Sequence, residues 1–203
     1  MEKNISPKKI LKLFILIAFM LSGLTALAYE VIWARQLIVL TGATIYAATA
    51  LLSAFLLGYG IGSVIMGHII HKIHRILFFS FMQIGAGLFG FLTPYLIYSL
   101  TNTRIVSLFA LKIGLSFFMI MLPASFFGAT WPLANSLYLK EKNIAQGSGK
   151  LYSVNALGGT FGALLAGFWL IPYLGLKNAS FTVALLNISI GIMLLILARW
   201  KEK

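Results

Sequence analysis

Long apolar segments alternate along this sequence with short clusters of basic residues. Each segment approaches the roughly 20 residues that a helix needs to cross the hydrocarbon core of a bilayer. Charged residues make up 10% of the chain, whereas they make up about 25% of an average soluble domain. Most side chains are therefore expected to face lipid, so the first predicted partner of this chain is the lipid bilayer.

The apolar pattern predicts an all-α membrane protein with six transmembrane helices, folded as a single domain over residues 1–203. The predicted spans are residues 13–33, 42–67, 76–100, 112–138, 151–172 and 181–198. Residues 104–111 are interpreted as an interfacial piece, because a helix from 104 to 140 would measure about 54 Å. Pro123 and Pro132 each remove a backbone donor and are expected to bend or break the fourth span.

The basic residues predict the orientation. With six spans, one side of the membrane carries both termini and twelve of the sixteen Lys and Arg residues. The positive-inside rule places that side, and both termini, in the cytoplasm.

Nucleic acid is not an expected partner despite the net charge of +12, because the basic residues separate apolar spans and do not line one soluble face. The basic start also resembles a signal peptide, but the first segment stays apolar past Ala26-Leu27-Ala28.

The chain carries few groups for catalysis. It has no Cys and no Asp, so paired carboxylates for acid–base chemistry are hard to assemble. Its four carboxylate side chains belong to Glu2, Glu30, Glu141 and Glu202. The three histidines between residues 68 and 74 turn around a helix without a carboxylate or thiolate beside them, so no metal site is predicted. No phosphate-binding glycine loop is present, and no cofactor is expected.

Five side chains are candidates for binding a substrate. They are Glu30, Arg35, Tyr46, Trp131 and Asn155. Ionisable groups at membrane depth are usually functional, although Glu30 and Arg35 could equally orient the first helix at the outer interface. A straight helix separates positions i and i+5 by about 140°. Either the helix breaks near Trp33, or each of these two residues finds a partner on another span.

The other candidates have structural alternatives. Tyr46 lies on a stripe of small and polar residues that forms either a helix–helix seam or a substrate pathway with Thr49 and Ser53. Asn155 either bridges two helices by a hydrogen bond or contacts a ligand. Trp131, which precedes a proline, marks either a bent structural helix or a gate.

Small residues predict close packing of the fifth span. Gly158, Gly162 and Ala166 lie on one ridge of this helix, and small side chains let helix backbones approach each other in lipid. Asn187 in the sixth span is expected to hydrogen-bond to another helix, with ligand contact as the alternative.

Three motifs in order carry a family resemblance. They are SGLTALAYEVIWAR at 22–35, LP with FGATWPL at 122–133, and LYSVNALGG through PYLGL at 151–176. They resemble the integral membrane domain of bacterial membrane-bound spermidine-synthase-like proteins, in which a major-facilitator-like membrane part is fused to an aminopropyltransferase. The resemblance implies half of a major-facilitator-like bundle in the bacterial cytoplasmic (inner) membrane. The sequence given ends at Lys203 without the soluble domain, so no catalytic activity is expected of this chain on its own.

Two functions follow as hypotheses. The first is a half-transporter that acts as a homo-oligomer, or with a partner, on a small organic metabolite. The resemblance suggests a polyamine as the cargo. However, the spans contain a single carboxylate, which is too little negative charge to balance a polycation. The alternative is a scaffold that anchors a separately encoded cytoplasmic spermidine-synthase-like enzyme, which would make a soluble protein the partner.

Overall fold

The computed structural model describes residues 7–42, 44–102, 109–139 and 144–202, and these are almost entirely helical. The helices are α1 Pro7–Thr41, α2 Thr44–Ile69, α3 Arg75–Asn102, α4 Phe109–Tyr138, α5 Ile144–Leu165 and α6 Ile171–Glu202. A 3₁₀ turn, Ile70–Lys72, follows α2, and a π-helical segment, Ala166–Leu170, joins α5 to α6. The all-α prediction is confirmed for these residues. The interfacial piece proposed at 104–111 lies mostly outside them.

The outer surface of the bundle is apolar. Within the described residues, five helical runs are long and apolar enough to cross a membrane, the last of them being the whole run Ile144–Trp200. Large apolar side chains point outward along these runs, as at Leu56 and at Phe168, which is 74% exposed. Water would penalise such a surface, whereas lipid accommodates it. The chain is therefore a helical membrane protein.

The last of these runs contains a break at Gly175. Its φ of 74° and ψ of 167° fall in a region that only glycine adopts readily. Before the break, Gly158 packs on Met20 of α1 and Gly162 packs on Leu24. Residue numbers rise together in these two contacts, so α5 runs in the same direction as α1.

After the break the chain runs the other way. Lys177 and Gln36, near the C-terminal end of α1, line one cavity. Trp200 and Ile10, near the N-terminal end of α1, line another groove. Because α6 starts beside the end of α1 and finishes beside its beginning, the polypeptide reverses direction at Gly175.

The helices form two layers. In the front layer α2, α4, α1 and α5 lie side by side in this order, and behind it α3 and α6 pack against each other and against α4 and α1. Helix α1 is central, because it contacts every other helix. Its residues Tyr29 and Trp33 are among the largest fully buried side chains.

The close contacts made by glycines of α2 recur in α5, one hundred residues later in the chain. Two glycines of α2 pack on carbonyl groups of α4, and two glycines of α5 pack on carbonyl groups of α1. A Cβ atom added at any of these glycines would lie only 1.8 to 2.2 Å from a carbonyl oxygen. The pairs are Gly58–Met121, Gly62–Ser125, Gly158–Met20 and Gly162–Leu24. The close approach predicted for Gly158 and Gly162 is therefore present.

The back pair of helices repeats in the same way. The Ser80 hydroxyl of α3 donates a hydrogen bond to the Gly191 carbonyl of α6 at 2.6 Å. The Ser180 hydroxyl of α6 donates to the Gly90 carbonyl of α3 at 2.7 Å. Each of the two helices thus supplies one serine hydroxyl as donor and one glycine carbonyl as acceptor. The contacts that α1–α3 make with α4–α6 therefore recur with the two halves exchanged, the pattern expected of two three-helix units related by a twofold axis.

The prolines of α4 do not break it. The helix runs from Phe109 to Tyr138 through both Pro123 and Pro132, so that part of the prediction is wrong. Neighbouring helices support a proline-containing helix in lipid. Here the glycines of α2 pack on Met121 and Ser125, on either side of Pro123.

Candidate functional site

Glu30 and Arg35 do not pair. Helix α1 continues through Trp33 to Thr41, so the first of the two alternatives, a break near Trp33, is wrong. Glu30 is half-buried and Arg35 is exposed. Neither side chain forms a hydrogen bond or an ion pair with another residue of the described segments, so the predicted partners on other spans are not found there either.

Asn155 and Trp131 meet at Phe19 of α1. The Asn155 amide nitrogen donates a hydrogen bond to the Phe19 carbonyl at 2.9 Å. The Trp131 ring lies 5.6 Å from the Phe19 ring and 6.2 Å from the Tyr152 ring, measured between centroids. Asn155 therefore links α5 to α1, which is the structural role considered for it. Trp131 fills the corner between α4, α1 and α5.

Glu30 lies on the same side of α1 as this corner. Phe19, Gly23 and Glu30 are spaced by four and seven positions, so they share one helix face. Asn155 packs on Gly23 as well as on Phe19. We call this side of α1, between α4 and α5, the front face. Glu30 is about 16 Å farther along α1 than Phe19 at 1.5 Å per residue, so it is not in contact with Asn155.

Tyr46 lies away from the front face. It is 58% exposed, and its ring contacts Phe109 at the start of α4 with an edge-on geometry and 5.5 Å between centroids. Thr49 and Ser53 are exposed on the same side of α2. Within the described part of this chain, the stripe therefore does not form the helix–helix seam that was one of its two interpretations. Apart from this ring contact at the start of α4, α4 packs on a different side of α2, where Gly58 and Gly62 contact Met121 and Ser125.

A buried polar stripe on the back of α1 was missed by the sequence analysis. It faces α3 and α6, and all its residues are nearly inaccessible. They are Ser22, Thr25, Tyr29 and Gln36. The Thr25 hydroxyl donates a hydrogen bond to Oδ1 of Asn187 at 2.7 Å. Asn187 thus bridges α6 and α1, as expected.

Several polar atoms in this stripe and next to it lack partners. Both amide atoms of Gln83, which is fully buried on α3, have no hydrogen-bond partner among the described residues. The same is true of the Tyr29 hydroxyl, which abuts Gly90 and lies beside Asn187 without reaching hydrogen-bond geometry. Gln36 and Gln83 could have been noticed in the sequence, because an amide inside an apolar span is costly unless it is bonded.

Comparison of the chain with protein-family models, with curated proteins and with solved structures finds no match in any of the three. The fold and its lipid-facing surface define the class, a helical membrane protein with several spans. Function is inferred from the side chains and their packing.

Proposed function

We propose that the chain crosses the membrane six times and forms half of a carrier for a small organic metabolite. The reversal at Gly175 supports six crossings, because α5 and α6 run in opposite directions on either side of it. The proposed fold is that of one major-facilitator-like half, as the sequence resemblance implies. Its two three-helix units support this, since many carriers are built from units of inverted topology.

The orientation follows from the basic end of the bundle. The Lys12 ammonium donates a hydrogen bond to the Tyr138 carbonyl at 2.6 Å, and Arg75 donates to the Ser136 carbonyl at 3.3 Å. The beginnings of α1 and α3 and the end of α4 therefore lie together, and we assign this basic end to the cytoplasm.

Glu30 is the observation that carries the carrier proposal. It is the one carboxylate whose side chain the structure describes. It is half-buried at membrane depth on the front face, and no described residue neutralises it. An ionisable group in this position is costly and is retained where it binds or couples a substrate. We assign it the central substrate contact, with Trp131 and Asn155 shaping the front face nearer the cytoplasm.

A second copy of the chain would complete the pathway. Tyr46, Thr49 and Ser53 are exposed at the α2 edge of the front layer, where lipid would give their polar groups no partner. At the opposite edge α5 exposes Ser153 and Thr160. Joining two front layers along these edges would cover both polar surfaces and enclose the front faces.

The charge of the site favours a neutral or singly charged cargo over a polyamine. One carboxylate on the front face balances one positive charge, whereas a polyamine carries several. A scaffold for a cytoplasmic enzyme is the alternative role, favoured by the basic end with its exposed Lys72. Purification in mild detergent distinguishes the two, because a scaffold should retain a soluble partner in stoichiometric amount.

Uptake by proteoliposomes tests the proposal. The purified chain is assayed against amino acids, short carboxylates and spermidine, together with Glu30→Gln and the control Glu202→Gln, which removes the same charge at the end of α6. We expect uptake of a neutral or monovalent substrate that is lost in Glu30→Gln and retained in Glu202→Gln. Equal uptake by both variants would remove Glu30 from the mechanism, and no uptake of any compound would count against the carrier.

A further inference from the structure

A cavity of about 480 Å³ opens at the end of the bundle opposite the basic end. It lies between the end of α1, the last turns of α3 and the start of α6. The lining residues that matter are Gln36, Pro94, Tyr95, Tyr98, Leu176 and Lys177. This volume is within the range of about 300–1,000 Å³ that is typical of small-molecule sites. The cavity is on the back of α1, away from the front face, and the carrier proposal does not use it.

Gln36 supplies a buried hydrogen-bonding group to this cavity. Only 4% of the residue is exposed, and its Oε1 has no hydrogen-bond partner among the described residues. Oxygen and nitrogen of an amide are assigned from their surroundings and can exchange places, so this position can accept or donate. A buried polar atom without a partner is costly, and rotation of the Gln36 amide towards the cavity that this residue lines would let a ligand there satisfy it.

Lys177 supplies a positive charge at the rim. Its Nζ lies 5.0 Å from the centroid of the Tyr95 ring and 5.7 Å from that of Phe181, so cation–π attraction holds the ammonium in place. No carboxylate of the described segments pairs with it. Its N–H donors therefore remain available to an anion. Pro94 and Leu176 contribute apolar surface to the cavity wall.

We propose that this cavity binds an organic monoanion with an apolar body. One oxygen of its anionic group would pair with Lys177, the other would accept a hydrogen bond from the Gln36 amide, and its apolar part would lie against Pro94 and Leu176. A doubly positive ligand is disfavoured, because Lys177 would repel it. Two sources supply such a molecule, namely a dissolved carboxylate from the aqueous phase and a single-chain fatty acid from the adjacent leaflet.

Three matched probes test the site: hexanoate, hexanol and hexylamine, which share a six-carbon chain and differ in charge. Binding to the full chain in nanodiscs of deuterated zwitterionic lipid is followed by saturation-transfer NMR, with empty nanodiscs as background. We expect hexanoate to bind more tightly than the other two. Lys177→Gln should weaken hexanoate binding about tenfold, the value of one charge-assisted hydrogen bond. Lys177→Arg should retain most of it.

Two further variants make the result specific. Gln36→Leu keeps the buried volume and should also weaken hexanoate binding, whereas Lys112→Gln removes a positive charge from α4 outside the cavity and should leave binding unchanged. Palmitate added to the nanodisc should displace hexanoate if the leaflet supplies the occupant, and should not if the aqueous phase does. Equal binding of the three probes, or unchanged binding in both Lys177→Gln and Gln36→Leu, would overturn the proposal.

Discussion

Thr25 and Asn187 form a side-chain hydrogen bond of 2.7 Å inside the bundle, where both residues are fully buried. It joins α1 of the first three-helix unit to α6 of the second. Hydrogen bonds between membrane helices contribute about 0.6 kcal/mol on average and up to about 1.7 kcal/mol.

Replacing Thr25 by valine should lower the free energy of unfolding by about 1–2 kcal/mol, because Asn187 then keeps two unpaired groups in the interior. Thr182→Val is the matched control, since Thr182 is exposed and bonds only to the Asn178 carbonyl of its own helix. Reversible unfolding in mixed micelles measures both variants. Equal losses in the two would show that the contact to Asn187 contributes nothing.

The glycine contacts predict a steric effect. Gly162→Val places a side chain against the Leu24 carbonyl, where a Cβ atom would be only 1.9 Å away. Helices α1 and α5 must separate, and we expect a loss of about 3 kcal/mol or a failure to fold. Gly60→Val adds the same side chain on α2, where nothing lies within 4 Å, and should keep the thermal midpoint within a few degrees. A similar fall in both variants would show that contact with the Leu24 carbonyl is not the cause.

The internal repeat predicts matched effects at two distant sites. Ser80→Ala and Ser180→Ala each remove one buried hydrogen bond between α3 and α6, and each should cost about 1 kcal/mol of unfolding free energy. Ser189→Ala is the control, because that exposed hydroxyl bonds only within α6. A large loss at one serine with none at its counterpart would contradict the twofold relation.

The break at Gly175 predicts a backbone effect. Gly175→Ala forces a Cβ into a conformation with φ of 74°, although nothing lies within 4 Å of that position. The cost therefore comes from the backbone alone and should be about 1–3 kcal/mol. Gly114→Ala, in an open position of α4, should instead raise stability by about 0.5–1 kcal/mol. An unchanged free energy of unfolding in Gly175→Ala would show that the turn relaxes to a conformation that alanine can adopt.

The approximate positions of the helices could be predicted from hydropathy, but which helices pack against each other could not. Apolar length located the helices, but α1 extends eight residues beyond the predicted end at Trp33 and α5 begins at Ile144, within a predicted loop. Each residue that extends a helix beyond the hydrocarbon core still adds a backbone hydrogen bond, so a helix does not have to end where hydropathy falls. Hydropathy therefore marks the lipid-crossing core of a helix better than its ends.

The candidate site was predicted only in part, because the face of a helix that becomes buried depends on which other helices pack against it. Gly23 and Glu30 are seven positions apart and so share a face of α1, and the structure places Asn155 against Gly23 on that face. The same reasoning failed for Tyr46, since α2 has two stripes of small residues and only contact with α4 decides which one is buried. Gln83 is visible in the sequence as an amide within an apolar span, but its burial and its lack of a hydrogen-bond partner among the described residues depend on the tertiary packing.

Accessibility of single cysteines tests the six-crossing arrangement most directly, because the natural sequence contains no cysteine. Lys177→Cys and Arg199→Cys lie on either side of the proposed last crossing, and Lys72→Cys marks the basic end. In intact cells a membrane-impermeant maleimide should label Lys177→Cys only, and Lys72→Cys and Arg199→Cys should react after permeabilisation. Labelling of Arg199→Cys or Lys72→Cys from outside, or protection of Lys177→Cys, would contradict the account.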